Sequence, residues 1–143
     1  KGKTQLEYNR RYYQEILDVV KAYKDYSILG HLDVIKRYDL NGEIKLEKIK
    51  DLIEQIFEVV IADGKGIEVN TSNHRYGLSD MTPSRDILKL YKELGGTIIT
   101  IGSDSHKKEH LGAYIDWAKE ELRKLGYTQF CTFEKMQPIF HEL

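Results

Sequence analysis

The residue types able to do chemistry concentrate in three short stretches: Gly30-His31-Leu32-Asp33, Glu68-Val69-Asn70 and Gly102-Ser103-Asp104-Ser105-His106. Asp104-x-His106 would set one anionic oxygen beside one imidazole nitrogen, a chelating pair for a divalent transition metal. His31, expected at the same end of a neighbouring strand, would complete a shared site. Each signal has a plainer reading, since a histidine at a strand end is also a common hydrogen-bonded structural residue. Their joint appearance at one pole favours metal binding, and no Cys-rich zinc pattern competes with it. Arg37 and Arg75 follow the first and second stretches, where guanidinium groups would clamp a phosphate bidentately. The alternative for both is a solvated loop arginine. A glycine-rich phosphate loop of the GxxxxGK[ST] type does not occur. His74 lies in a polar loop, where it lines a site or caps a turn, and His110 and His141 read as solvent-facing.

Positioning these groups requires strands, and the apolar spacing supplies them. Leu6, Tyr13, Ile16, Leu17 and Val20 form one stripe of a helix over residues 4–24. A short buried strand follows at 27–31, then a helix over 45–62 with Leu46, Ile49, Ile53, Ile56 and Val60 on one face, ended by Asp63-Gly64. GIEVN at 66–70 reads as a strand, and a polar loop leads to Pro83 and Ser84, start signals for a third helix carrying Ile87, Leu88, Tyr91 and Leu94. TIITIGS at 97–103 is a strand bounded by glycines; Leu111, Ile115, Ala118, Leu122 and Leu125 mark a fourth helix, and TQFCTF a last strand at 128–133. The tail EKMQPIFHEL is ambiguous between strand and coil.

This alternation predicts an α/β fold with a parallel sheet of βα units. Working residues then gather beyond the carboxyl ends of the strands. The two-residue period of a strand places Glu68 and Asn70 on one face and Ile67 and Val69 on the other, toward the helices. The same parity, carried past the third strand, sets Thr100, Gly102, Asp104 and His106 on the inner face. Four strands are too few to close a barrel, whose common eight-stranded form takes about 250 residues. An open parallel sheet leaves edges to cover, which suggests a missing partner segment.

With 22 Lys plus Arg against 23 Asp plus Glu and a net charge of -1, no global field favours nucleic acid or an anionic membrane, so any phosphate contact is local. No apolar run reaches the length of a membrane span, and the opening KGKTQLEYNRR has no signal-peptide core. The single Cys131 reads as a buried thiol and the chain as cytoplasmic. The 143 residues suffice for one domain, yet the sequence begins without methionine and almost directly in a helical pattern, as if cut from something longer.

GHLDVIKRYD (30–39), IEVNTS (67–72) with Arg75 shortly after, and ITIGSDSH (99–106) resemble the PHP superfamily, and within it the histidinol-phosphatase branch. The resemblance implies a distorted seven-stranded (β/α) barrel holding two or three divalent metals, zinc, iron or manganese, at the carboxyl ends of its strands. His31, Asp104 and His106 match the family's later metal ligands, and Arg37 and Arg75 its phosphate-holding positions. Glu68 and Asn70 match the branch's E-x-N strand and are assigned site lining only. The family's opening H-x-H motif has no counterpart here, so residues 1–143 read as the C-terminal portion of one such barrel. The implied reaction is metal-dependent hydrolysis of histidinol phosphate, a step of histidine biosynthesis, with Asp104 also handling a proton as a catalytic residue. The implied partner is a small phosphorylated substrate. The isolated chain would be inactive or nearly so. Two alternatives stand beside this reading: another phosphoester as substrate, or a non-catalytic fragment that associates with a partner half or with itself through open sheet edges.

Overall fold

The computed structural model describes residues 2–143. Helix α1 (Gln5–Ala22) starts where Thr4 and Glu7 form a reciprocal capping box, which satisfies two of the amide groups a helix start leaves unpaired. Its buried stripe is Asn9, Tyr13, Leu17 and Val20. Leu6, expected on that face, is exposed, and Asn9 takes the buried place because its amide donates to Gln5 O and to Asp39.

The chain then forms β1 (Ile28–Leu29), a 3-10 segment (Val34–Tyr38), a 3-10 turn (Leu46–Lys48), helix α2 (Lys50–Ala62), β2 (Gly66–Asn70), a third 3-10 segment (Thr71–Tyr76), helix α3 (Arg85–Glu93), β3 (Ile99–Gly102), a last 3-10 turn (Lys108–His110), helix α4 (Ile115–Lys124), β4 (Gln129–Glu134) and β5 (Gln137–Glu142). Strands β1, β2 and β3 lie side by side in that order and all parallel, with Leu29 opposite Ile67 and Asn70 opposite Gly102. The α/β architecture expected from the alternation is present.

Three expectations need correction. The last strand does not extend the parallel sheet; β4 pairs antiparallel with β5, which resolves the ambiguous tail. The two residues of their turn, Lys135 and Met136, both have positive φ, 50° and 62°. That is the backbone of a hairpin turn usually marked by Asn-Gly, a signal absent from this sequence. The polar loop after β2 is largely a 3-10 segment. Leu111 lies before α4 and is 80% exposed, because the chain first turns through Gly112 and Tyr114, both left-handed.

The core lies between the sheet and its helices. Ile53, Ile56, Phe57 and Val60 from α2, Ile67 from β2, Leu88 and Tyr91 from α3, Ile99 from β3, and Ala118 and Leu122 from α4 are fully enclosed. Ile67 and Val69 therefore take the helix side and Glu68 the opposite face, as strand parity requires. Cys131 is buried, and burial pushes its thiol pKa up. No helix among the described residues is long and apolar enough to cross a membrane.

Ile56→Ala would remove a wholly enclosed side chain and should cost about 2–5 kcal/mol, read as a lower urea midpoint at constant slope. A second effect concerns acid. Arg10 holds the Asp51 carboxyl well below its ordinary 3.8, at about 2, chiefly through a side-chain hydrogen bond. A carboxyl depressed in the folded state stabilises above its unfolded pKa and loses that contribution as pH falls through the folded one. Asp51→Asn should therefore flatten the loss of stability between pH 3.8 and about 2, measured by denaturation at each pH.

Candidate active site

The segments beyond the carboxyl ends of β1, β2 and β3 carry His31, Arg37, Arg75, Asp104 and His106, and β2 itself carries Glu68 and Asn70. The loop after β1 is anchored from inside. Lys36 points into the protein, where its ammonium lies 2.9 Å from Asp33 and also donates to Met81 O, with the two side chains only 3% and 2% exposed. Asp33 accepts in addition from Ser84 N–H at 2.9 Å, which joins this loop to the start of α3. Burial pushes the Asp33 carboxyl up from its ordinary range, and Lys36 opposes that shift.

Arg37 is the next residue along the 3-10 segment and leaves in another direction. Its guanidinium sits 3.9 Å from the centre of the Tyr76 ring, and Nη2 donates to Ser72 Oγ. Arg37 Nε is buried without a hydrogen-bond partner. Arg75 behaves differently from the expectation of a phosphate clamp: its two terminal nitrogens donate to Ser103 O at 2.9 Å and Asp104 O at 2.6 Å. In this structure Arg75 fastens the loop that carries Asp104.

Glu68 occupies the inner face of the sheet. One oxygen accepts His31 N–H at 3.0 Å and the Asn70 amide at 3.3 Å. The other lies where a Cβ on Gly102 would approach to 2.7 Å, so a larger residue on the neighbouring strand would push the end of the Glu68 side chain from its present place. The sequence assigned Glu68 and Asn70 to site lining only; their hydrogen bonds make them the junction of two strand ends. Ser72 and Tyr76 escaped sequence reasoning, and the only hint was their place on the segment following the E-x-N strand.

Asp104 and His106 do not continue β3. The strand stops at Gly102, and Asp104 has φ 50°, so the parity carried past the strand end does not hold. The two side chains still come together, with His106 Nδ1 3.8 Å from Asp104 Oδ1 and 2.9 Å from Asp104 O. An imidazole donating from Nδ1 to a carbonyl keeps the Nε2 lone pair for a metal, the usual arrangement of a ligating histidine. His106 is 80% exposed at its side chain. His31 is exposed and has φ 23°; like Asp104, it holds a backbone conformation that costs energy for a non-glycine residue and is typical of functional sites. Among the described residues, no three His, Cys, Asp or Glu side chains form a group able to hold a metal, so His31 is not brought into one three-donor set with Asp104 and His106.

The other histidines have structural settings. His74 stacks on Tyr114 at 3.7 Å with Trp117 edge-on, and burial lowers its pKa. His141 is exposed as expected, next to Thr132, while His110 is half-buried.

A parallel β/α sheet with imidazole, carboxylate and guanidinium groups beyond its strand ends defines an α/β unit with a barrel-type polar pole. The chain belongs to the PHP domain family, whose model matches residues 1–72, a span that holds His31, Arg37, Glu68, Asn70 and Ser72. It is 31% identical to the histidinol-phosphatase of Lactococcus lactis over 92% of this chain and 49% of that protein. It is 33% identical to a probable histidinol-phosphatase of Thermotoga maritima over 85% of this chain and 50% of that one. A crystal structure of the Lactococcus lactis histidinol phosphate phosphatase, complexed with zinc, L-histidinol and phosphate, superposes with a TM-score of 0.80 at 29% identity, covering 96% of this chain and 52% of the other. The chain thus spans about half the length of the curated relatives it matches.

Lys36→Ala would leave the Asp33 carboxylate buried and unpaired. Removing one partner of such a pair costs about 3–5 kcal/mol, so this variant should unfold at a markedly lower denaturant midpoint. Arg11→Ala, which removes an exposed pair with Glu15 on α1, should stay within about 0.5 kcal/mol of the parent.

Proposed function

We propose that this chain is the C-terminal part of a PHP-type barrel that hydrolyses a phosphate monoester with divalent metal, and that the ester is histidinol phosphate. The observation that carries the reading is the convergence at one pole of an oriented guanidinium, Arg37, with the Asp104 and His106 pair. Likeness to a phosphatase solved with zinc, L-histidinol and phosphate supports the choice of substrate.

In this reading the Arg37 guanidinium, held on Tyr76 and Ser72, binds the phosphate and fixes its orientation. Arg75, by holding the carbonyls of Ser103 and Asp104, keeps Asp104 where it can serve as ligand and pass a proton, and it contributes positive charge at the same pole. The donor set fits zinc, manganese or iron: Asp104 Oδ1, His106 Nε2 and the His31 imidazole would hold metal, together with donors from the N-terminal part of the barrel. Bound divalent metal supplies Lewis-acid charge for the phosphoryl oxygens and makes water acidic enough to attack at neutral pH. The free edge of β1 receives the remaining strands, and the reaction belongs in the cytoplasm, where the lone thiol of Cys131 stays reduced.

The test compares this chain with a version carrying the N-terminal half of the barrel, on histidinol phosphate and a panel of other phosphoesters. The longer protein should prefer histidinol phosphate and lose activity to a chelator, while Arg37→Ala should lower kcat/KM by about a hundredfold or more. Equal turnover across the panel, or full activity in chelator, would refute the proposal.

A further inference from the structure

An unbroken hydrogen-bond chain runs from Arg37 to the backbone of His31. Arg37 Nη2 donates to Ser72 Oγ, and the Ser72 hydroxyl donates onward to Asn70 Oδ1. Ser72 N–H reaches the same Asn70 oxygen at 3.0 Å. The Asn70 amide donates to Glu68 Oε2 at 3.3 Å, and that oxygen also accepts His31 N–H at 3.0 Å.

The direction of every link is dictated by chemistry. A guanidinium only donates and an ionised carboxylate only accepts, so the hydroxyl and the amide between them must each accept on one side and donate on the other. Among side chains of this size, Ser and Asn can do so. Asn70 and Ser72 are 1% and 0% exposed, which keeps water from competing for these bonds. The backbone at Asn70 is held as well, its N–H donating to Thr82 O at 2.7 Å. At the far end, the Tyr76 ring supports the guanidinium from one face while Nε stays buried and unpartnered.

We infer that Glu68, Asn70 and Ser72 are positioning residues: they hold the Arg37 guanidinium, seated on Tyr76, in the orientation that receives a tetrahedral oxyanion, and they set its place relative to His31. The inference rests on the phosphoester reading above and adds to it the residues through which one strand end governs the phosphate contact at another. It also accounts for an amide at position 70. Aspartate has the same shape but cannot donate to Glu68, and it would place a second negative charge beside it.

The experiment follows the Arg37 side chain directly by NMR of the arginine-labelled chain, with Arg37→Lys to identify its Nε–H signal, and then titrates inorganic phosphate. In the parent chain the Arg37 signal should exchange slowly with water. Ser72→Ala and Asn70→Asp should each speed that exchange about tenfold and weaken phosphate binding about tenfold, the scale of one hydrogen bond to a charged group. Ser72→Thr, which keeps the hydroxyl, should restore both. Tyr76→Leu, at an exposed ring, offers a variant with little risk to folding, and it should loosen Arg37 while leaving the Asn70 amide signals in place. Unchanged Arg37 exchange in the folded Ser72→Ala and Asn70→Asp chains would overturn the inference, as would a freed Arg37 with phosphate affinity unaltered. A parent chain whose restrained Arg37 signal does not respond to phosphate would instead overturn the phosphoester reading at Arg37, and the two failures are thereby told apart.

Discussion

The buried ion pair between Asp33 and Lys36 is the constraint on which the polar pole depends. Taking both charges out of water is costly, and further hydrogen bonds offset part of that cost: Lys36 also donates to Met81 O, and Asp33 Oδ2 also accepts from Ser84 N–H, while Asp33 Oδ1 is buried without a partner. These bonds tie the loop after β1 to the loop that enters α3. They also decide where Arg37 goes. Successive residues of a 3-10 segment differ by about a third of a turn, so an inward Lys36 turns Arg37 toward Ser72 and Tyr76.

The second organising element is the carboxylate of Glu68 on the inner face of the sheet. A buried or half-buried carboxylate has to be answered by donors, and here they come from two different elements, the His31 backbone and the Asn70 side chain. Glycine at position 102 makes room for it on the neighbouring strand. His31 and Asp104, both with strained backbone, are each restrained by a hydrogen bond: His31 through Glu68, Asp104 through Arg75. Strain survives in a fold only where the surroundings over-determine the conformation, and at this pole they do.

Much of this was legible in the chain. The apolar spacing of α2 and α3 and the glycine-bounded isoleucines of β3 marked the elements, and the two-residue period put Glu68 opposite Val69. Other features were not, for physical reasons. The β4–β5 hairpin turns on Lys135-Met136, two residues with no preference for positive φ, so no turn signal announced it. Asn9 broke the apolar stripe of α1 because its partner, Asp39, is thirty residues away in sequence. Arg75 and Arg37 looked alike as loop arginines; only the acceptors around them separate a residue that fastens β3's end from one whose Nε lacks a partner.

The sequence by itself therefore determined the α/β class, the parity of the strands, the pole at which His, Asp and Glu collect, and the kinship with PHP proteins. Those properties depend on local periodicity and on residue type, which are written along the chain. The tertiary structure decided which of these groups meet. Asp104 and His106 pair although the strand ends before them, and Ser72 joins Arg37 to Asn70. Hydrogen-bond partners far apart in sequence are selected by how loops pack on the sheet, and no spacing rule encodes that.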